Sequence, residues 1–233
     1  MRAKNVLDGC LISELWTIFI ENSLDDFWIY RKLFVYLPQI NHSMKKLLVN
    51  FVALTVIVSG AFAQQPVSLF DGKTLNGWKV VTCEAEVVDG AILLKGGNGF
   101  LLADKQYADF VFECEWKALN LEMWDSGIYF RVDSLPKAGS RSPWPRQHQV
   151  NMLKGQEGAV PGVDKEKSSA QFKKGEWNHF KLTVKGDTAE MVFNGVKVWT
   201  KDGFTPAKGY LCLQAEVPAG GQFLFKNITI LEL

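Results

Sequence analysis

The chain has 233 residues and a net charge of +1, with 26 Lys and Arg against 25 Asp and Glu. A balance this close leaves no basic stripe to neutralise phosphates, so nucleic acids and anionic membranes are poor partners and an uncharged ligand is expected. Hydrophobic residues make up 47% of the sequence, enough for one domain with a full core.

The N-terminal part carries a processing signal rather than structure. Lys45 and Lys46 follow Met44 as a positive n-region, Leu47 to Val58 form an apolar h-region, and Ala61-Phe62-Ala63 is a small-x-small cleavage site. The apolar run is shorter than the ~20 residues of a membrane span, and polar Gln64-Gln65-Pro66 follows at once. The expectation is a signal peptide at 44–63, export to the periplasm or medium, and no membrane insertion after cleavage. Residues 1–43 read as a start-site misassignment or unstructured extension, the alternative being an extra amphipathic segment within LISELWTIFIENSLDDFWIYRKLFVYL. The mature domain is then 64–233.

From Gln64 onward, period-two alternation recurs between turn signals, which predicts antiparallel β-strands. Phe110, Phe112, Cys114 and Trp116 alternate with polar or smaller neighbours, as do Phe180, Leu182 and Val184, and then Ala189, Met191 and Phe193. Asn194-Gly195 lies between two such runs and predicts a type I′ hairpin, because both residues accept positive φ. No stretch keeps a capped 3.6-residue apolar period, so helix is minor. The predicted fold is all-β, a jelly-roll β-sandwich of two antiparallel sheets. Cys83, Cys114 and Cys212 remain after cleavage, and the odd count allows one disulfide plus a free thiol; Cys114 sits on an apolar strand face and reads as a buried thiol.

Several motifs in this order resemble a known family. Ser68-Leu69-Phe70-Asp71-Gly72-Lys73 with Leu75-Asn76-Gly77-Trp78 is similar to the opening motif of the 3-keto-disaccharide hydrolase domain family. The likeness continues through Val87 to Leu94, Tyr107-Ala108-Asp109-Phe110, Ser126-Gly127-Ile128 with Arg131, and Gly175-Glu176-Trp177-Asn178. It ends with Leu213-Gln214-Ala215-Glu216, Phe225-Lys226-Asn227-Ile228 and Glu232-Leu233, and so spans the mature chain. The resemblance implies a concanavalin A-like jelly roll that is exported and acts on glycosides oxidised at C3. The sequence departs from the family at Gln149-Val150-Asn151-Met152-Leu153-Lys154, where Gln149 and Lys154 stand in place of two acids. Roles tied to those acids do not carry over.

Cleavage of such a glycoside needs a base for the C2 hydrogen that the ketone acidifies, an electrophile for the enolate oxygen, and an acid for the leaving group. No cofactor is required, although a divalent metal could serve as the electrophile. The densest supply of suitable side chains is Trp124 to Gly158. Alternation places Asp125, Tyr129 and Arg131 on one strand face opposite Ile128, Phe130 and Val132, with Gln149 and Asn151 opposing Val150 and Met152, and Gln214 and Glu216 opposing Leu213 and Ala215. The catalytic candidates are Arg131 for the ketone or enolate oxygen and Asp125, Glu216 or His148 as base. An arginine salt-bridged for structure, and a histidine held on the core face, are the plain alternatives. The substrate-binding candidates are Trp124, Tyr129 and Trp144 as stacking surfaces, with Gln149, Asn151, Lys154, Glu157 and Gln214 as polar contacts. A noncatalytic glycan-binding module is the competing reading, since the same fold hosts lectins.

Overall fold

The computed structural model describes residues 64–233 apart from 138, 139, 141 and 147. The predicted signal segment and the residues before it lie outside the described residues. The strands are β1 (Val67–Ser68), β2 (Trp78–Val88), β3 (Ala91–Tyr107), β4 (Phe110–Ala118), β5 (Gly127–Val132), β6 (Gln149–Asn151), β7 (Asn178–Lys185), β8 (Thr188–Phe193), β9 (Val196–Lys201), β10 (Gly209–Val217) and β11 (Phe223–Glu232). One short helix, α1 (Lys165–Ser169), is capped by Asp164, whose carboxylate accepts the Glu166 and Lys167 backbone N–H groups. Among the described residues no helix is long and apolar enough to cross a membrane.

The strands pair antiparallel in the order β6-β5-β10-β3-β11-β4-β7-β8-β9, with β1 added to β11 and β2 to β3. β3 is 17 residues long. Its first part, Ile92 to Leu94, pairs with β11, and the part from Gly97 to Tyr107 pairs with β10. One strand therefore carries the hydrogen bonding from one wing to the other, and where the sequence predicts two sheets the described strands form one curled antiparallel sheet.

The core lies between the wings. From β4 come Phe110, Phe112, Cys114 and Trp116, from β7 Phe180, Leu182 and Val184, and from β8 Ala189, Met191 and Phe193; the other wing adds Ile128, Phe130, Val150, Met152, Leu211 and Leu213. These are the positions that alternation marks as apolar, because successive strand side chains point to opposite faces. Trp116 stacks on Phe172 with ring centroids 5.6 Å apart and meets Phe180 at 5.2 Å. The hairpin between β8 and β9 turns at Asn194 (φ 47°) and Gly195 (φ 84°), as the dipeptide predicts. Cys83, Cys114 and Cys212 are all free thiols, so the disulfide that the odd count permits is not formed.

A second, smaller apolar cluster covers the opposite face of β3, β5 and β10. Phe100, Leu102, Tyr129, Val132 and Cys212 form it, with Val81, Trp144 and Tyr210 packed against them. This face carries the polar groups described next.

Candidate active site

Three strands bring an acid–amide cluster together on this face. Gln149 on edge strand β6 lies opposite Tyr129 on β5, and Tyr129 lies opposite Cys212 on β10. The Gln149 side chain crosses β5 and donates from Nε2 to Gln214 Oε1, and Gln214 Nε2 donates to Glu216 Oε2 at 2.9 Å. The crossing is possible because β5 presents Gly127 there. A Cβ on Gly127 would lie 2.8 Å from Gln149 Cγ and closer still to its amide nitrogen. Gly127→Ala is therefore expected to displace Gln149 and destabilise the domain by about 1–3 kcal/mol, as overpacking does. Gln149→Ala in the same chain should return most of that loss, which urea unfolding of the single and double variants measures.

Asp125 enters from the segment before β5, and a single residue ties it to Glu216. The Asp125 N–H donates to the Gly220 carbonyl at 2.9 Å, while the Gly220 N–H donates to the Glu216 carbonyl at 2.6 Å. The approach is so close that a Cβ on Gly220 would sit 2.9 Å from both Asp125 Cβ and the Glu216 carbonyl. The backbones of the two acids are thus tied through the one residue Gly220.

Burial and the neighbouring Glu216 charge push the Asp125 carboxyl up to about 6. Glu216 is also raised by burial, against the opposing effect of the Gln214 amide, which hydrogen-bonds its ionised form. Burial, with the charges of Asp125, Cys212 and Glu216, keeps the Tyr129 hydroxyl protonated far above neutrality. The cluster therefore offers a carboxyl that titrates at about 6, a second acid whose ionised form the Gln214 amide supports, and a phenol that keeps its proton.

Other predicted site residues are placed elsewhere. Arg131 is fully buried away from the acids. Its Nε and Nη2 donate to the Ala108 carbonyl at 3.1 and 2.9 Å, Nη1 to Gly186 and Phe204 carbonyls at 2.6 and 2.9 Å, and Nη2 to Asp109 Oδ1 at 3.1 Å. All five guanidinium hydrogens are used. The cause is a β-bulge: Phe130 and Arg131 together oppose Leu211, Arg131 takes φ +52°, and the extra residue breaks the alternation. For the same reason Val132, predicted to face the main core, joins the second cluster instead.

Trp124 is not an open stacking surface. It lies in the main core with its ring 5.0 Å from Phe172, and its indole N–H donates to Glu157 at 2.8 Å. Glu157, predicted as a sugar contact, is a buried carboxylate that accepts this bond and another from the Gly155 N–H. Lys154 donates to the Glu122 carbonyl and lies 5.3 Å from the Trp124 ring centroid. Trp144 is half-buried, its indole donating to the Ala215 carbonyl at 3.0 Å, so it covers the second cluster rather than projecting outward. His148 meets the Thr205 carbonyl through Nε2 at 2.7 Å and packs on Phe130 and Phe204. Asn151 Oδ1 accepts the Leu153 N–H.

A cavity of about 590 Å³ flanks the cluster, between β6 and the chain from Gln156 to Lys165. It shares Tyr129 and Gln149 with the acid–amide cluster, while Asp125 and Glu216 are not among the residues that line it. Among the described residues no group of three or more His, Cys, Asp or Glu side chains is arranged to hold a metal ion.

Residues 65–231 match the model of the 3-keto-alpha-glucoside-1,2-lyase-like domain. The chain belongs to this family. No curated protein matches the sequence significantly. Among solved structures, this lyase-like domain is similar to two candidate glycosyl hydrolases from Parabacteroides distasonis ATCC 8503. One is 21% identical, with a TM-score of 0.56 over 71% of this chain and 92% of the other. The second is 19% identical, with a TM-score of 0.58 over 72% of this chain and 100% of the other. At such identities the likeness is one of fold. The linkage of Asp125, Gly220 and Glu216 escapes sequence reasoning, although the Gly220-Gly221 pair directly after a polar-faced strand is a visible sign of close backbone approach.

Proposed function

We propose that the domain is an exported carbohydrate-active enzyme of concanavalin A-like jelly-roll type that cleaves 3-keto-glycosides. The observation that carries this reading is the pairing of Asp125 and Glu216 through Gly220, with Asp125 raised to about 6 beside a carboxylate that Gln214 supports. Two neighbouring acids in unlike surroundings, one desolvated beside the other's charge and one accepting from an amide, suit the roles of proton donor and base. Glu216 takes the C2 hydrogen, the C–H electron pair forms the enolate of the C3 ketone, and Tyr129 donates a hydrogen bond to the developing oxyanion. Collapse of the enolate breaks the C1–O bond, and Asp125 delivers its proton to the departing oxygen. The products are an unsaturated 3-keto sugar and a free alcohol or second sugar; later addition of water across the double bond gives net hydrolysis. Arg131 has no part in this scheme.

Incubation of the purified domain with a 3-keto-disaccharide in D2O tests the proposal. Release of the second sugar with deuterium appearing at C2 of recovered substrate or product is expected. Neither release nor exchange between pH 5 and 8 would defeat it. One feature favours a noncatalytic glycan-binding module instead, namely Gln149 standing where the resembled family carries an acid. Binding of glycans without turnover, unchanged in Asp125→Asn and Glu216→Gln, would decide for that reading.

A further inference from the structure

The cavity beside the acids has a chemical character that cleavage of a neutral sugar does not require. Its wall includes Arg146, Lys165 and His148 together with the amides of Gln149, Asn151 and Gln156. Among the described residues no aspartate or glutamate lines it. The nearest carboxylates along the chain are Glu157, Asp164 and Glu166; Glu157 is buried and accepts from the Trp124 indole and the Gly155 N–H, and the Asp164 carboxylate caps α1. Arg146 and Lys165 are exposed and line the cavity from different segments, one before β6 and the other at the start of α1. An arginine fork and an ammonium group lining one cavity suit a carboxylate, sulfate or phosphate ester far better than a hydroxymethyl group. With about 590 Å³ of space, the cavity is large enough for a monosaccharide unit.

We infer that this cavity binds an anionic sugar unit, attached to the ring that reaches Asp125 and Glu216. The balanced charge of the whole chain conceals the preference, because the local asymmetry comes from two cations that separate segments bring to one cavity. This inference rests on the carbohydrate reading of the neighbouring cluster but not on catalysis, since occupancy of the cavity is a binding property.

The test uses cellobiouronic acid and cellobiose, which differ only by a carboxylate in place of a hydroxymethyl group at one C6. Calorimetric titration of the purified protein at low ionic strength is expected to show about tenfold tighter binding of the acid, as a charge-assisted contact provides. The preference should shrink as salt is raised. Arg146→Gln with Lys165→Gln, both exposed changes that spare the fold, should abolish the preference while leaving cellobiose binding as it was. Binding of cellobiose equal to that of both cellobiouronic acid and a cellobiose sulfated at C6, or a preference that survives the double substitution, overturns the inference and leaves the carbohydrate reading standing. Failure of both sugars and of a 3-keto-disaccharide to bind removes the carbohydrate reading and the inference with it. The cellobiose sulfated at C6, in a parallel titration, is expected to show the same salt-sensitive preference, lost in the double variant; no gain over cellobiose for either anionic sugar overturns the inference.

Discussion

Replacing Asp125 with asparagine is expected to make the domain more stable at pH 7 while lowering turnover of a 3-keto-glycoside by about 10²–10⁴-fold. The two effects share one cause. In the folded chain Asp125 holds its proton up to about pH 6, whereas its ordinary value is 3.8. Between those values the folded state binds more protons than the unfolded state, so stability falls as pH rises through the window. Above about pH 6 the whole deficit is present, and below 3.8 it is absent. The full shift corresponds to about 3 kcal/mol, which solvent reaching the half-buried carboxylate reduces to about 1 kcal/mol. Asparagine keeps the shape and removes the charge. Thermal melts should therefore show the variant above the parent at pH 7 and level with it near pH 4. A variant no more stable than the parent at pH 7 would mean that Asp125 is not held in a desolvated, charge-repelling setting. Glu216→Gln should also abolish turnover. By removing the neighbouring charge it lowers the Asp125 pKa, which a pH titration of the Asp125 carboxyl carbon by NMR would record.

Arg131→Met is expected to cost about 3–5 kcal/mol, the range seen when one partner of a buried ionic network is removed. The carbonyls of Ala108, Gly186 and Phe204 lose their donors, and Asp109 loses its cation while still accepting the Gly186 N–H at 3.0 Å. Against a typical domain stability of about 5–15 kcal/mol, such a loss leaves a marginal fold. Arg131→Lys should be only partly better, because three donors on one nitrogen cannot serve four acceptors spread over three segments. Urea unfolding measures the stability, and assays at low temperature report the folded fraction. Activity per folded molecule within a few-fold of the parent is expected. A loss of turnover in fully folded Arg131→Lys would return this residue to the chemistry.

The contrast between Arg131 and Asp125 shows what the sequence makes legible. Alternation identifies the buried faces of β4, β7 and β8, and Asn194-Gly195 marks its hairpin, because period two and positive φ are local properties. On β10 the same rule separates Gln214 and Glu216 from Leu213 and Ala215. It fails on β5, where one inserted residue sends Arg131 into a network of carbonyls from distant segments and turns Val132 to the other face. A bulge depends on the partner strand, so nothing within the hexapeptide Gly127 to Val132 announces it. Trp124 and Glu157 were equally unreadable as a pair, since their hydrogen bond joins residues 33 positions apart. Nor does either acid's own segment carry the Gly220 linkage.

The pairing of β1 with β11 has a consequence for how the chain acquires its shape. Val67 lies opposite Ile230 and Ser68 opposite Thr229, so the first strand finds its partner only after nearly all of the sequence is available. Loop-closure entropy of that span has to be met before the contact contributes anything, and all-β topologies of this kind fold in milliseconds to seconds rather than microseconds. A polypeptide that cannot complete its sheet until β11 has followed β1 across so long a span stays threadable for longer, which suits the passage across a membrane that the proposed export requires.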